Sequence, residues 1–311
     1  MAVGYIDTPH NMAEIMLYVT ASKEAVVAEI IQSKQCYFYD ACSFRGHANL
    51  NNNEAEYLLK YIKAQKGIVV ITRYILMELA SHSGMLNTEY VEYIKRINEF
   101  GINVLVIYEE DLFSVMEMCF STNEAINHYL CWAVRLIQSP VSTITKTLDA
   151  DSRLYHEVIE GKNLDSRGIY KRFFQAARAN KETGDNLGEE LLAVCLHILS
   201  YLPGEEDGKF CVITDDKGAA GKMDTLFEKT AKHHKGKKII IFSTPKLVQA
   251  MHRENILTNR EDIKAVVSVG TSGNIVVLGT RIFDVRSREI SINSDELADL
   301  IMHPNGINVI F

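Results

Sequence analysis

The sequence predicts a doubly wound α/β core, split by a helical insertion and extended by a small C-terminal α/β module. Three observations carry that prediction. Runs at 36–44, 68–72, 102–108, 209–214 and 237–242 are apolar, rich in β-branched or aromatic residues and too short for helices. Segments of helical period separate most of them, the alternation that builds a parallel sheet covered on both faces. From Asp111 to Thr183 the strand signal disappears, and beyond residue 260 two strand-like runs return close together.

Taken in order, 11–33 has apolar residues at helical spacing and reads as one or two helices. CYFYDACSF, 36–44, reads as the first strand. A polar start at Asn51–Asn53 opens a helix closed by Gly67. IVVIT, 68–72, follows as a buried strand, and RYILMELASHSG continues as a helix ended by Gly84. An Asn-capped helix stops at Gly101 before INVLVIY, 102–108. Residues 112–138 read as helix, Pro140 interrupts, and 153–181 reads as helix again. The apolar helix 187–202 leads into KFCVIT, 209–214. A loop and helix then reach KKIIIF, 237–242, and Pro245 opens another helix. In the tail, EDIKAVVSV reads as helical, NIVVLGTRIF and EISI as paired strands, and SDELADLIM as a capped helix. The organisation is therefore a helical segment at 1–35, a core from 36–110 plus 184–250, an insertion at 111–183 and an extension at 251–311.

Composition narrows the function classes. At 47% apolar residues, the chain has ample material for a core, which excludes global disorder. Forty acidic against 33 basic residues argue against coating nucleic acid by bulk charge. Uninterrupted apolar stretches such as 239–242 fall far short of a membrane span, and residues 1–10 lack a signal-peptide pattern. A soluble, cytoplasmic protein without a membrane partner is expected. The six cysteines form no CxxC pair and read as free thiols. The His233–His234 doublet reads as surface.

Acidic residues carry the functional argument, because an open parallel sheet binds ligands outside the carboxyl ends of its strands. Asp40 ends the first run. Glu78 lies one helical segment after Thr72, between Met77 and Leu79. Asp215 and Asp216 follow Thr214 at once, and Asp185, Glu189 and Glu190 open the apolar helix before that strand. Singly, each has an ordinary explanation as a strand-ending turn or a first-turn helix acid. Jointly they bring several anions toward one edge, an arrangement that a cation must neutralise. Oxygen-only donors suit Mg²⁺ or Mn²⁺, which serve phosphodiester hydrolysis by orienting phosphate and activating water.

Four motifs in order, Phe38-Tyr39-Asp40-Ala41-Cys42-Ser43, Leu76-Met77-Glu78-Leu79, Gly184 to Glu190, and Val212-Ile213-Thr214-Asp215-Asp216-Lys217, resemble a PIN domain. The resemblance spans about 36–110 and 184–245. It implies a Rossmann-like sheet and a metal-dependent nuclease, mostly of RNA, in a family that includes toxins of toxin–antitoxin pairs. By position, it implies catalytic and metal roles for Asp40, Glu78, Glu189 and Asp216. Asp185 and Glu190 are alternatives for the third acid, and Asp215 stands beside the fourth. Ser43 and Thr214 resemble the family's small hydroxyl residues near the metal. The insertion and the tail have no counterpart in the family pattern. The leading expectation is a ribonuclease. Its rivals are a structure-specific DNA nuclease, a non-catalytic scaffold that binds a partner protein and, more weakly, a phospho-acceptor domain. The expected protein partner is an inhibitor protein or a second copy of the chain.

Phosphates would be held by a basic stretch in the insertion, Arg167, Lys171, Arg172, Arg178 and Lys181, with Tyr170, Phe173 and Phe174 interleaved to stack on bases. The ordinary alternative is an amphipathic helix with an aromatic core face. A second stretch, Lys229 to Lys238, reads as a solvated helix end.

Overall fold

Five strands form one all-parallel sheet in the order β3-β2-β1-β4-β5: β1 (Gln35–Tyr39), β2 (Gly67–Thr72), β3 (Val104–Ile107), β4 (Phe210–Ile213) and β5 (Ile240–Phe242). The computed structural model describes residues 5–311 apart from 82, 270–272 and 283, and the side chains of 233 and 234 are likewise not described. The surface reading of His233–His234, the His82 step before Gly84 and the Phe283 end of the NIVVLGTRIF run lie outside the described residues. β1 to β4 are buried along almost their whole length, which is why their sequences are continuously apolar rather than alternating. The chain is an α/β protein.

The sheet runs outward from β1 through β2 to β3, then returns to the other side of β1 for β4 and β5. The direction of winding therefore reverses between β1 and β4. A crevice opens there, outside the carboxyl ends of both strands. Register places Tyr39 beside Ile213, and the Asp40 amide donates to the Ile213 carbonyl at 2.9 Å. Asp40 and Thr214 thus leave the sheet side by side.

Helices follow the expected order, with three corrections. The 112–138 segment is two helices, Leu112–Glu117 and Asn123–Ile137, separated by a turn. The 36–44 run is strand only to Tyr39; Asp40 turns the chain and Ala41–Ala48 is helical. Its aromatic residues suit a strand, but Tyr39 and Phe44 meet edge-on at 5.5 Å from two different elements. The 153–181 segment is not one helix. It comprises Ser152–Leu154, a π-helical turn Tyr155–Ile159, a connection carrying left-handed Gly161 and Asn163, and then Ile169–Ala179. Elsewhere the local signals hold. Asn51 and Glu54 form a reciprocal capping box at the start of Asn52–Ala64, and Ser243 with Pro245 opens Thr244–Arg253.

The insertion has helices and no strand among the described residues, and packs its Asn123–Ile137 helix on Leu187–Leu199. The latter is buried on nearly every side, the situation that favours a helix apolar all round. Upstream of the sheet, Thr20 bridges to the β3 edge and covers its unpaired backbone. The tail forms a three-stranded antiparallel sheet, β7 (Arg288–Ile292), β6 (Ile275–Thr280) and β8 (Asn308–Val309), as the paired-strand reading expects. The capped Ser294–Met302 helix joins the last two in sequence, with Asn293 accepting from the Glu296 amide at 2.9 Å. No helix among the described residues is long and apolar enough to cross a membrane.

Candidate metal centre

Asp40 lies at the carboxyl end of β1, where it is only 5% exposed. Its Oδ2 accepts from the Thr214 hydroxyl at 3.0 Å and from the Cys42 thiol at 2.8 Å. The same Thr214 oxygen accepts from the Asp216 amide at 3.2 Å. One hydroxyl at the end of β4 therefore ties the first and fourth predicted acids to a single corner. Asp216 caps the Lys217–His234 helix through Oδ1, which accepts from the Ala219 amide at 2.9 Å.

Glu189 enters from the first turn of Leu187–Leu199. Its carboxyl is pushed up to about 7, first by burial and then by the negative charges of Asp216, Asp40 and Glu78, with Lys222 opposing. Burial is the larger cause, and repulsion by the three other acids adds to it. Glu78 reaches the group from Arg73–Leu79. Gly188 lets it approach: a Cβ there would stand 3.1 Å from Glu78 Oε2 and 2.7 Å from the Tyr74 ring. Asp40, Glu78, Glu189 and Asp216 thus come from four elements, and the charges of the other three each add to the rise of the Glu189 carboxyl.

The other predicted acids do different work. Glu190 points away and accepts from the Ile144 amide at 3.1 Å, capping a helix of the insertion. Asp185 is 6% exposed at its side chain and is bound by the Lys181 ammonium, the Glu182 amide at 2.8 Å and the Leu187 amide at 3.2 Å. Asp215 accepts from the Ser43 hydroxyl at 2.6 Å and from both the amide and the hydroxyl of Thr244 at 2.7 Å. Asp185 and Asp215 thus brace the loop before Leu187–Leu199 and the start of Thr244–Arg253. The Ser43 hydroxyl serves Asp215, while the Thr214 hydroxyl reaches Asp40.

In the basic stretch of the insertion, three arginines already have acidic partners. Arg178 is buried and donates to Glu109 at 2.6 Å, to Glu110 at 2.8 and 2.9 Å and to Asp7 at 2.9 Å. Arg172 grips the buried Glu157 with two bonds, at 3.1 and 2.7 Å. Tyr170, Phe173 and Phe174 pack inward, because Ile169–Ala179 turns its aromatic face to the core. Lys171 is exposed, and Arg167 pairs with Glu117 on the surface at 2.6 Å. The Arg167 guanidinium also lies over the Phe113 ring, 5.5 Å from its centre.

Sequence reasoning missed two partnerships. Lys181, read as a phosphate contact, is 3% exposed at its side chain and sits between Glu78, at 3.0 Å, and Asp185. Its signal was the four-residue spacing to Asp185 across Gly184. Glu109, which follows β3, is fully buried and accepts from the Tyr74 amide at 2.8 Å, anchoring the helix that carries Glu78. An acid pair directly after an apolar strand was its signal.

Clefts flank the centre on two sides. One of about 520 Å³ is lined by Glu189, Asn186, Lys222, Lys229 and the Leu136–Val141 turn of the insertion. Another, of about 420 Å³, runs past Asp216, Cys42 and Lys217 under Val276 and Phe311 of the tail.

No family model, curated protein or solved structure matches this chain. The likeness to the PIN family accordingly rests on the four short motifs, and the reading of the site rests on its geometry.

Among the described residues, no three carboxylate, histidine or cysteine side chains are already drawn together closely enough to hold an ion. In kind the donor set fits a hard divalent cation: carboxylate oxygens dominate, and Glu189 carries the cost of uncompensated negative charge around it. Two expected results follow from this geometry. Gly188→Ala forces the Tyr74 ring or the Glu78 carboxylate aside and should cost about 1–3 kcal/mol, the usual price of overpacking, read from urea unfolding. A cost near zero would mean that Glu78 is free to withdraw. The second concerns pH. Glu189 binds its proton more tightly folded than unfolded, so its contribution falls as pH rises from the unfolded value, near 4.5, through about 7. In EDTA, wild-type protein should lose stability across that window relative to Glu189→Gln. Parallel pH profiles of the two proteins would place Glu189 outside the cluster.

Proposed function

We propose that this chain is a divalent-metal-dependent phosphodiesterase that hydrolyses RNA. The observation that carries the reading is geometric: at the sheet's switch point the Thr214 hydroxyl joins Asp40 to the Asp216 backbone, and burial, then the charges of Asp216, Asp40 and Glu78, raise the Glu189 carboxyl beside them. Acids brought from four elements into mutual repulsion cost stability, and a bound Mg²⁺ or Mn²⁺ would offset that cost. When bound, the ion supplies charge stabilisation at the scissile phosphate and a water acidic enough to attack it near neutral pH.

The protein's own residues have separate tasks. Asp40, Glu189 and Asp216 hold the cation, and Glu78 closes the group through Oε2. Thr214 keeps Asp40 and Asp216 in register. Lys222 and Lys229 line the cleft beside Glu189 and hold the substrate's phosphates near the acids. The insertion and the tail each wall one side of the approach. RNA as the substrate comes from the resemblance of the four motifs.

The test is direct. Single-stranded RNA and DNA oligomers of one sequence are incubated with the full chain and Mn²⁺. RNA should be cut, and EDTA should stop the reaction. Preferential cutting of DNA would move the substrate to DNA. Binding of manganese without cleavage of either would leave a metal-binding scaffold.

A further inference from the structure

The carboxylates do not share positive charge evenly. Glu78 and Asp185 converge on one ammonium, Lys181 Nζ, which lies 3.0 Å from Glu78 Oε1 and in contact with Asp185 Oδ1. That lysine is sealed in, with a 3% exposed side chain and its charge facing the Tyr74 and Tyr5 rings at 5.3 and 5.2 Å. Asp185 is fixed around it by two backbone amides. Tyr74 completes the arrangement by donating to Glu78 Oε1 at 3.1 Å. On the other side of Gly188, the nearest cation to Glu189 is Lys222, at 3.9 Å on a side chain 58% exposed. Among the described residues, the donors to the Asp40 carboxylate are Thr214 and Cys42, both neutral.

We propose that Lys181 is a built-in cation that occupies the Glu78 side of the centre, so that the protein binds one divalent ion, on the Asp40, Glu189 and Asp216 side. This rests on the metal-centre reading given above. Lys181 acts as a positioning residue. It neutralises Glu78 and Asp185, keeps Glu78 Oε1 turned away from the ion, and leaves three carboxylates to carry it. Because Lys181 belongs to the insertion, the insertion determines the number of ions as well as walling a cleft.

The physical logic is a balance of charge. Two acids sharing one buried ammonium still attract a cation, but a second divalent ion there would stand within a few ångströms of a fixed positive charge. At that separation like charges repel strongly wherever water is excluded. Removing the ammonium while keeping the apolar stem reverses the balance, since Glu78 and Asp185 then face each other without a counter-ion.

Manganese binding to the full chain tests this, with stoichiometry read by equilibrium dialysis and by the loss of free-ion electron paramagnetic resonance signal. Wild type should bind one Mn²⁺ per chain, and Lys181→Met should bind two. The melting temperature of the variant should also rise more with Mn²⁺ than that of wild type. Two ions in wild type would overturn the inference while leaving the metal reading intact. One ion in a folded Lys181→Met protein, with an unchanged metal-induced shift, would overturn it as well. If the variant does not fold, the wild-type count alone decides. No manganese bound by wild type at millimolar concentration would instead defeat the metal reading itself.

Discussion

Asp40→Asn is expected to melt in EDTA no lower than wild type, and to lose most of the stabilisation that Mn²⁺ confers on the parent. The substitution keeps an acceptor for Thr214 and Cys42 and deletes one of the charges that push the Glu189 carboxyl upward. Relief of repulsion therefore offsets the change in hydrogen bonding. A ligand present at 100 times its Kd stabilises the folded state by about 2.7 kcal/mol. Removing a carboxylate that binds the ion lowers affinity by at least ~10- to 100-fold, the range seen even for groups that only orient ligands. At the same metal concentration most of the gain should vanish, and cleavage should fall at least ~100-fold. Melts of both proteins, with EDTA and with excess Mn²⁺, together with an RNA cleavage time course, check this. Equal metal-induced shifts would remove Asp40 from the centre. Strong destabilisation in EDTA would make it a turn residue that ends β1 and opens the next helix.

Arg178→Ala should destabilise the fold by about 3–5 kcal/mol, because breaking a buried ion pair leaves its partner charged and unsolvated. The partner is Glu109. Burial pushes its carboxyl up, while Arg178 and the Tyr74 amide pull it down. The consequence reaches the site, since Glu109 anchors the first turn of Arg73–Leu79, the helix that delivers Glu78. Metal affinity should fall along with stability. Replacing Glu109 by Gln in the Arg178→Ala background should recover much of the loss. That recovery separates an orphaned charge from lost packing, and chemical denaturation of the two variants measures it. A single-variant cost below about 1 kcal/mol, the range of exposed pairs, would mean that water reaches Glu109.

The local order of this chain was legible because it is written in neighbouring residues. Continuous β-branched runs at 68–72 and 102–108 are β2 and β3, and the pattern Asn51–Glu54 is a capping box. Where two local preferences competed, the boundary moved. The aromatic run from 36 read as strand through Phe44, but the chain turns at Asp40, because a residue there must both leave the sheet and start Ala41–Ala48. The break inside 153–181 was hidden for the same reason. A π-helical turn uses ordinary helix formers, so Tyr155–Ile159 carries no local mark that sets it apart from an α-helix.

By itself, the sequence determined the alternation of strands and helices and the placing of an acid at the end of β1, the end of β4 and the start of the helix before β4. Strand ends and helix starts are set by residues a few positions apart, so an acid written there has a predictable place along its own element. Only the tertiary structure decided which acids face one another and which already possess a cation. Lys181 finds Glu78 across 103 positions, Arg178 finds Glu109 across 69, and Asp215 finds Thr244 across 29. Charge can be counted in a sequence, but its compensation depends on distance and on the exclusion of water. Both arise only when the insertion closes over the sheet.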